Sequence, residues 1–406
     1  MKKLLIIVLT LTISLYAGAQ PFLNNVGGTY KKVNDYKEIK ANDILIFASH
    51  STQNDKDKVR IMTTVSAEKT GRFGYYTYGD YVDAMPKTIT LSEVNSEGKP
   101  YEYVVTLGKT GSTTQYLYLQ NIDKKYITGD KEQIRTLDLS VTQSKCNVQN
   151  NSGVGFYYVG IYVNGLLLRC ENDIDDYNGF FCNYNSRRPD NTNDVDIYRK
   201  VHEVSFGETG YSTFYYGNND VCLPSGVKAY TYQLEGGVLS FSHEYDGDKG
   251  DIVPHSTAVV LRGTPNSKFY LDVKNTQTAC GYSSVLRGTD TEASTAQDGD
   301  ASGCRYYMLS NGSKGLGFYY ANDNGAAFTN TAHKAYLCLT SDVVATGFTF
   351  YLPDGTATDV RSCKAVKADL PCNVSSGAFY DLFGRRVLQP SGGGVYIQNG
   401  RAISVK

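Results

Sequence analysis

After its first 19 residues this chain shows no long helical period, and alternation with a period of two recurs instead. Tyr230, Tyr232 and Leu234 fall on one face of an extended segment, with Thr231, Gln233 and Glu235 on the other. Gly236-Gly237 follows, and then Leu239 and Phe241 alternate with Ser240 and Ser242. A Gly-Gly pair between two alternating runs predicts a hairpin, because the favoured two-residue turn needs positive φ at both centres. Phe269, Leu271 and Val273 repeat the pattern, as do Phe348, Phe350 and Leu352 before the turn Pro353-Asp354-Gly355. Near the end, Val395-Tyr396-Ile397 and Ala402-Ile403-Ser404-Val405 flank Asn399-Gly400, the strongest short hairpin signal. Composition agrees: Tyr 34 and Gly 40 are both high, and Pro is only 10. The expectation is an all-β chain of two antiparallel β-sandwich or barrel-like modules with a short C-terminal β-element.

Met1-Lys2-Lys3, the apolar run Leu4 to Leu15 and Ala17-Gly18-Ala19 have the order of a signal peptide, with cleavage expected after Ala19. The apolar run is too short to span a bilayer, which takes about 20 such residues. The chain is therefore expected to be extracytoplasmic, secreted or attached to the outer surface, with no transmembrane anchor after cleavage. Turn-rich, charged stretches suggest the divisions: 1–19 signal peptide, 20–200 first β-module, 201–355 second β-module, 356–406 linker and tail. With Lys plus Arg at 40 and Asp plus Glu at 41, the net charge is −1, so no global field favours nucleic acid.

Export permits disulfides, but the 9 cysteines are scattered, odd in number and contain no C-x-x-C. Cys170/Cys182 and Cys363/Cys372 are close enough in sequence to close small loops. No G-x-S-x-G elbow is present, and His243-Glu244 does not continue to H-E-x-x-H. The histidines His50, His202, His243, His255 and His333 stand singly. No catalytic residue and no cofactor are expected. The best metal candidate is the turn of Asp246, Asp248 and Asp251, where clustered oxygens would suit a structural calcium ion. Against it stands the plainer alternative of a solvated polar loop. The best ligand candidates are paired tyrosines: Tyr75 and Tyr76, Tyr157 and Tyr158, Tyr215 and Tyr216. Adjacent strand residues point to opposite faces, so one of each pair should face outward and offer rigid contact area to a glycan or a protein.

Residues 204–350 carry an ordered set of short motifs. Among them are Gly210-Tyr211-Ser212-Thr213-Phe214-Tyr215, Leu223-Pro224-Ser225-Gly226-Val227-Lys228-Ala229-Tyr230, Leu286-Arg287-Gly288-Thr289 and Lys334-Ala335-Tyr336-Leu337. In this they resemble a β-rich accessory module of extracellular proteins from anaerobic Gram-negative bacteria of gut and mouth. Residues 36–200 are similar, more weakly, to a second module of the same proteins. The tail, from Phe379-Tyr380-Asp381-Leu382-Phe383-Gly384-Arg385-Arg386 to Lys406, resembles the end of a type IX secretion sorting domain. The resemblance implies export through dedicated machinery and an accessory, non-catalytic role. Sequence alone thus leads to a cell-surface or secreted protein acting through binding or adhesion. The alternatives are a fimbria-like structural subunit, or an extracellular hydrolase with an unrecognised carboxylate site.

Overall fold

The computed structural model describes residues 27–53, 56–65, 71–92, 102–110, 114–121, 123–130, 136–153, 156–171, 179–184, 192–297, 303–312, 315–340, 343, 345–350, 379–380, 386–387, 394–398 and 401–405. The chain divides into two compact units, Met1–Cys363 and Lys364–Lys406. Regular structure among the described residues is β-strand with a few 3₁₀ turns, as the alternation predicts. No helix there is long and apolar enough to cross a membrane.

The first unit opens with β1 (Gly28–Lys32), β2 (Ile44–Gln53), β3 (Lys56–Val65), β4 (Phe73–Asp80), β5 (Thr88–Leu91), β6 (Tyr103–Thr110), β7 (Thr114–Asn121), β8 (Tyr126–Thr128) and β9 (Asp138–Ser140). There follow β10 (Cys146–Gly153), β11 (Phe156–Val163), β12 (Leu166–Glu171), β13 (Phe181–Tyr184), β14 (Thr192–Asp194) and β15 (Asp196–Ser205). Antiparallel pairing runs β2-β3-β4-β13-β12-β11-β10-β7-β6 and returns to β2, closing a barrel of 9 strands. Alternation decides what the barrel buries. In β7 Leu117 and Leu119 are buried, while Tyr116 and Tyr118 are only half-buried. Phe47, Tyr103, Val148, Val163 and Phe181 join the two leucines in the largest core cluster.

Charge is also buried around this barrel. Glu171, fully buried, accepts from Arg72 Nε at 2.7 Å and from the Tyr184 hydroxyl at 2.8 Å. Arg169 is 1% exposed and donates to Thr192 Oγ1 at 3.1 Å. Such carboxylates and guanidinium groups are tolerated in the interior only when answered by partners.

The chain continues through β16 (Tyr211–Phe214), β17 (Asp220–Cys222), β18 (Lys228–Glu235), β19 (Val238–Asp246), β20 (Ile252–Val253), β21 (Val259–Arg262) and β22 (Lys268–Lys274). β15 carries it out of the barrel: Asp196 to Arg199 pair with β2, and Val201 to Ser205 pair with β22. Lys200, where the sequence places a junction, sits in the middle of that strand, opposite Tyr30 of β1. A four-stranded sheet is ordered β16-β21-β18-β19. The expected hairpin is there: Glu235 faces Val238, and Gly236 and Gly237 have φ of 58° and 82°. These left-handed conformations are why glycine is needed at both positions. Tyr230 and Tyr232 are buried on one face as the alternation requires, but Thr231 on the other face is buried as well, bonded to Ser242.

The remaining strands of the first unit are β23 (Leu286–Thr289), β24 (Ala293–Ser294), β25 (Cys304–Gly312), β26 (Gly315–Tyr320), β27 (Thr329–Asn330), β28 (Lys334–Thr340) and β29 (Gly347–Phe348). Five of them form the sheet β23-β28-β25-β26-β29, and Tyr230, Tyr232, Val260, Tyr307, Phe318, Leu337 and Phe350 make one aromatic-rich core between this sheet and the four-stranded one.

In the second unit, β30 (Phe379–Tyr380), β31 (Arg386–Val387), β32 (Gly394–Gln398) and β33 (Arg401–Val405) form an antiparallel sheet ordered β31-β30-β32-β33. Gln398 faces Arg401 across the two-residue connection of Asn399 and Gly400, as a tight hairpin demands. Tyr380 pairs with Ile397, so the hairpin has a third strand beside it.

Candidate functional site

A cleft of about 320 Å³ opens in the first unit. Residues on its wall include Glu102 and Lys200 on one side, and Tyr216, Asn219, Asp290 and His333 on the other. β15 supplies Lys200, the residue before β6 supplies Glu102, and the segment after β16 supplies Tyr216.

The charges in this cleft answer one another. Lys200 Nζ lies 2.9 Å from Glu102 Oε1, with both side chains below 10% exposure. The Tyr30 hydroxyl donates to the same carboxylate oxygen. Burial, together with the negative charge of Glu102, holds the Tyr30 phenol well above its ordinary pKa. Asp290 Oδ1 accepts from Gly217 N at 2.7 Å and lies 3.3 Å from His333 Nδ1. The His333 ring stacks on Tyr216, with centroids 4.9 Å apart and planes 11° from parallel. It also meets His202 edge-on at 4.6 Å. Burial, reinforced by His333 and Lys334, lowers the His202 pKa to about 4, so this imidazole is neutral near pH 7. Burial likewise raises the Tyr216 phenol, which stays protonated. The backbone locks the arrangement: Tyr215 N donates to His333 O at 3.1 Å, and His333 N to Thr289 O at 2.8 Å.

Among the described side chains of the tyrosines singled out in the sequence, Tyr216 alone lines this cleft. Tyr215 is turned the other way, against the aromatic core, with its Cβ over Gly288. Tyr75 and Tyr76 point to opposite sides of β4, as alternation requires. Both are half-buried: Tyr75 lies under Arg60 at 4.3 Å and edge-on to Phe180, and Tyr76 packs against Ile46 and Ile61. Tyr157 and Tyr158 pair with Ser152 and Asn151 in β11; their side chains lie outside the described set.

Asp246, Asp248 and Asp251 meet in one turn, where each carboxylate already serves the backbone. Asp246 Oδ1 accepts from Asp248 N at 3.0 Å, Asp248 Oδ1 from Gly226 N at 3.0 Å, and Asp251 Oδ2 from Asp246 N at 2.9 Å. Lys228 and Lys249 add positive charge at 3.2 and 3.7 Å from Asp246. Hydrogen bonding from Asp248 N, chiefly, lowers the Asp246 carboxyl pKa. Among the described residues, no group of three or more His, Cys, Asp or Glu is placed to share a metal ion. Cys170 and Cys182 are both buried free thiols, so that small loop is not closed, while Cys363 and Cys372 lie outside the described residues.

Sequence reasoning did not find Glu102, Lys200, Asp290 or the meeting of His202 with His333. Each belongs to a different stretch of chain, and no local spacing marks any of them. Comparison with known proteins found no matching family model, no similar curated protein and no similar solved structure. Fold and cleft therefore define the class of this protein only as an all-β one, with a polar cleft beside a closed barrel.

Proposed function

We propose that this is an exported, non-catalytic protein of the cell surface or the extracellular medium that acts by binding, with the cleft at Tyr216 as its ligand site and a glycan as its ligand. One observation carries the reading: the ionisable groups of the cleft are committed to each other. Glu102 is held by Lys200 and Tyr30, Asp290 by Gly217 N and His333. Beside them the cleft is lined by Tyr216, Asn218, Asn219 and Asn275. Rings paired with amides suit the apolar faces and hydroxyls of a sugar. The leader-like N-terminus, the resemblance to accessory modules and the sorting-like tail support export and an accessory role.

Glycan-array binding followed by calorimetry tests this. Tyr216→Ala should weaken the best ligand by about tenfold, the scale of losing one aromatic contact. Binding of a protein but of no glycan would change the ligand class. Turnover of a glycoside that vanishes in Glu102→Gln or Asp290→Asn would replace binding by hydrolysis. Deleting residues 374–406 should leave the first unit folded and lower the amount at the cell surface; undiminished display would remove the sorting role.

A further inference from the structure

His333 and Lys334 are neighbours in sequence, yet they serve different cavities. His333 lines the cleft just described, and Lys334 lines a second cavity of about 350 Å³. That cavity is bounded by residues of β16, β25 and the start of β28, with Ser212, Thr213, Leu316, Phe328 and Thr331 among its lining. Among the described residues no Asp or Glu is on its wall, and Lys334 is the only cationic residue there.

Lys334 Nζ donates to Ser212 Oγ at 2.8 Å. Among the described residues, no carboxylate stands within ion-pair distance of it. Burial lowers its pKa, and no neighbouring acid offsets that effect. The more deeply buried Lys200 and Lys274 differ: Lys200 is paired with Glu102, and Lys274 with Asp43. A half-buried ammonium without a counter-charge is disfavoured, and a negative charge brought into the cavity would relieve it. One hydroxyl beside it is ready to help. Ser212 Oγ accepts from Lys334. A hydroxyl that accepts still has its own hydrogen to give. Among the described residues the wall thus offers one ammonium and the O–H of Ser212, with no acid to compete. Its volume falls near the small end of ligand pockets, which run from roughly 300 to 1,000 Å³.

We propose that this cavity binds a small oxyanion, the carboxylate or phosphate of a monosaccharide-sized ligand, with Lys334 as its ionic anchor and the hydroxyl of Ser212 as a donor. The site is separate from the Tyr216 cleft and does not depend on the reading of that cleft.

Calorimetry on the full chain at low ionic strength tests it, with D-glucuronate, D-glucose 6-phosphate and neutral D-glucose as probes. At least one anion should bind and glucose should not; which anion binds tells carboxylate from phosphate. Lys334→Gln should weaken binding by about tenfold or more, because a charge-assisted contact is lost. Lys334→Arg should keep part of the affinity. Ser212→Ala should weaken binding by about threefold, the scale of one neutral hydrogen bond. In the unmodified chain the same anion should slow acetylation of Lys334, read by mass spectrometry, which keeps the test alive even where Lys334→Gln does not fold. The proposal falls if neither anion binds, if Lys334→Gln binds like the parent chain, or if acetylation of Lys334 is unaffected. It falls equally if Tyr216→Ala abolishes anion binding, since the anion would then sit in the cleft.

Discussion

The barrel and the sheets that follow it use the same strand alphabet and end up with different capacities. In the barrel the pairing closes on itself, and an antiparallel barrel of about this size has an interior just wide enough for its own side chains. Phe47, Tyr103, Leu117 and Leu119 fill it. The later sheets are open and meet face to face around an aromatic core of Tyr230, Tyr232, Tyr307 and Phe350. Rings pack at angles and sheets have edges, so space is left where one element ends against another. Both cavities lie at such margins, one between residues of the β1–β15 region and those after β16, the other between β16 and the β25–β28 pair. Closure left an interior filled by side chains, and incomplete closure left cavities.

That contrast can be broken at its most expensive point. Glu171→Ala leaves Arg72 buried without its carboxylate, and stability measured by denaturant unfolding should fall by about 3–5 kcal/mol. A loss near that of a surface pair would mean that the barrel wall admits water.

The next effect belongs to the open half. His202 has a folded pKa of about 4 against an ordinary 6.5, so the unfolded chain takes up a proton that the folded chain refuses. Stability is therefore lost as pH falls from 6.5 to 4, by about 3 kcal/mol from this group alone. Thermal unfolding across that window should show a shallower acid loss in His202→Gln than in the parent; parallel profiles would sink the assignment.

Close approach in the aromatic core is tested by Gly288→Ala. A Cβ there would stand 2.3 Å from the Cβ of Tyr215, so something must shift, and a loss of about 1–3 kcal/mol is expected. Because Tyr215 holds His333 through the backbone, the same variant should weaken ligand binding in the cleft; unchanged stability would show this core to be softer than its geometry.

The smallest effect is the control. Lys268 and Glu203 form an ion pair at 2.7 Å with side chains 67% and 35% exposed. Glu203→Ala should cost less than about 1 kcal/mol, and that cost should shrink with added salt. A cost like that of Glu171→Ala would erase the distinction between the two kinds of charge pair.

How much could be read in advance depends on how far apart the partners are. The hairpin of β18 and β19 was legible because its alternation and its Gly236-Gly237 turn sit within twenty residues of one another. The pairing of β32 with β33 was legible for the same reason, through Asn399-Gly400. The aspartates of the 246–251 turn were legible as a cluster, either a calcium site or a polar loop. Whether a carboxylate faces a cation or its own backbone amides depends on φ and ψ, and here one oxygen of each accepts from a backbone amide. Of the tyrosine pairs, alternation correctly put Tyr75 and Tyr76 on opposite faces. It could not say that Tyr216 would reach a cleft, because that needs β16 to stop beside His333.

By itself, then, the sequence determined the strands, their two-residue turns and the all-β class, since these rest on local φ preferences and a period of two. Only the tertiary structure decided that the first strands close into a barrel, that Glu102 meets Lys200 and that His202 meets His333. It also decided that Lys334 stands against Ser212, with no acid beside it among the described residues. Those meetings join segments far apart along the chain. Their free energies depend on burial and on which charges share it, quantities that exist only once the chain has folded.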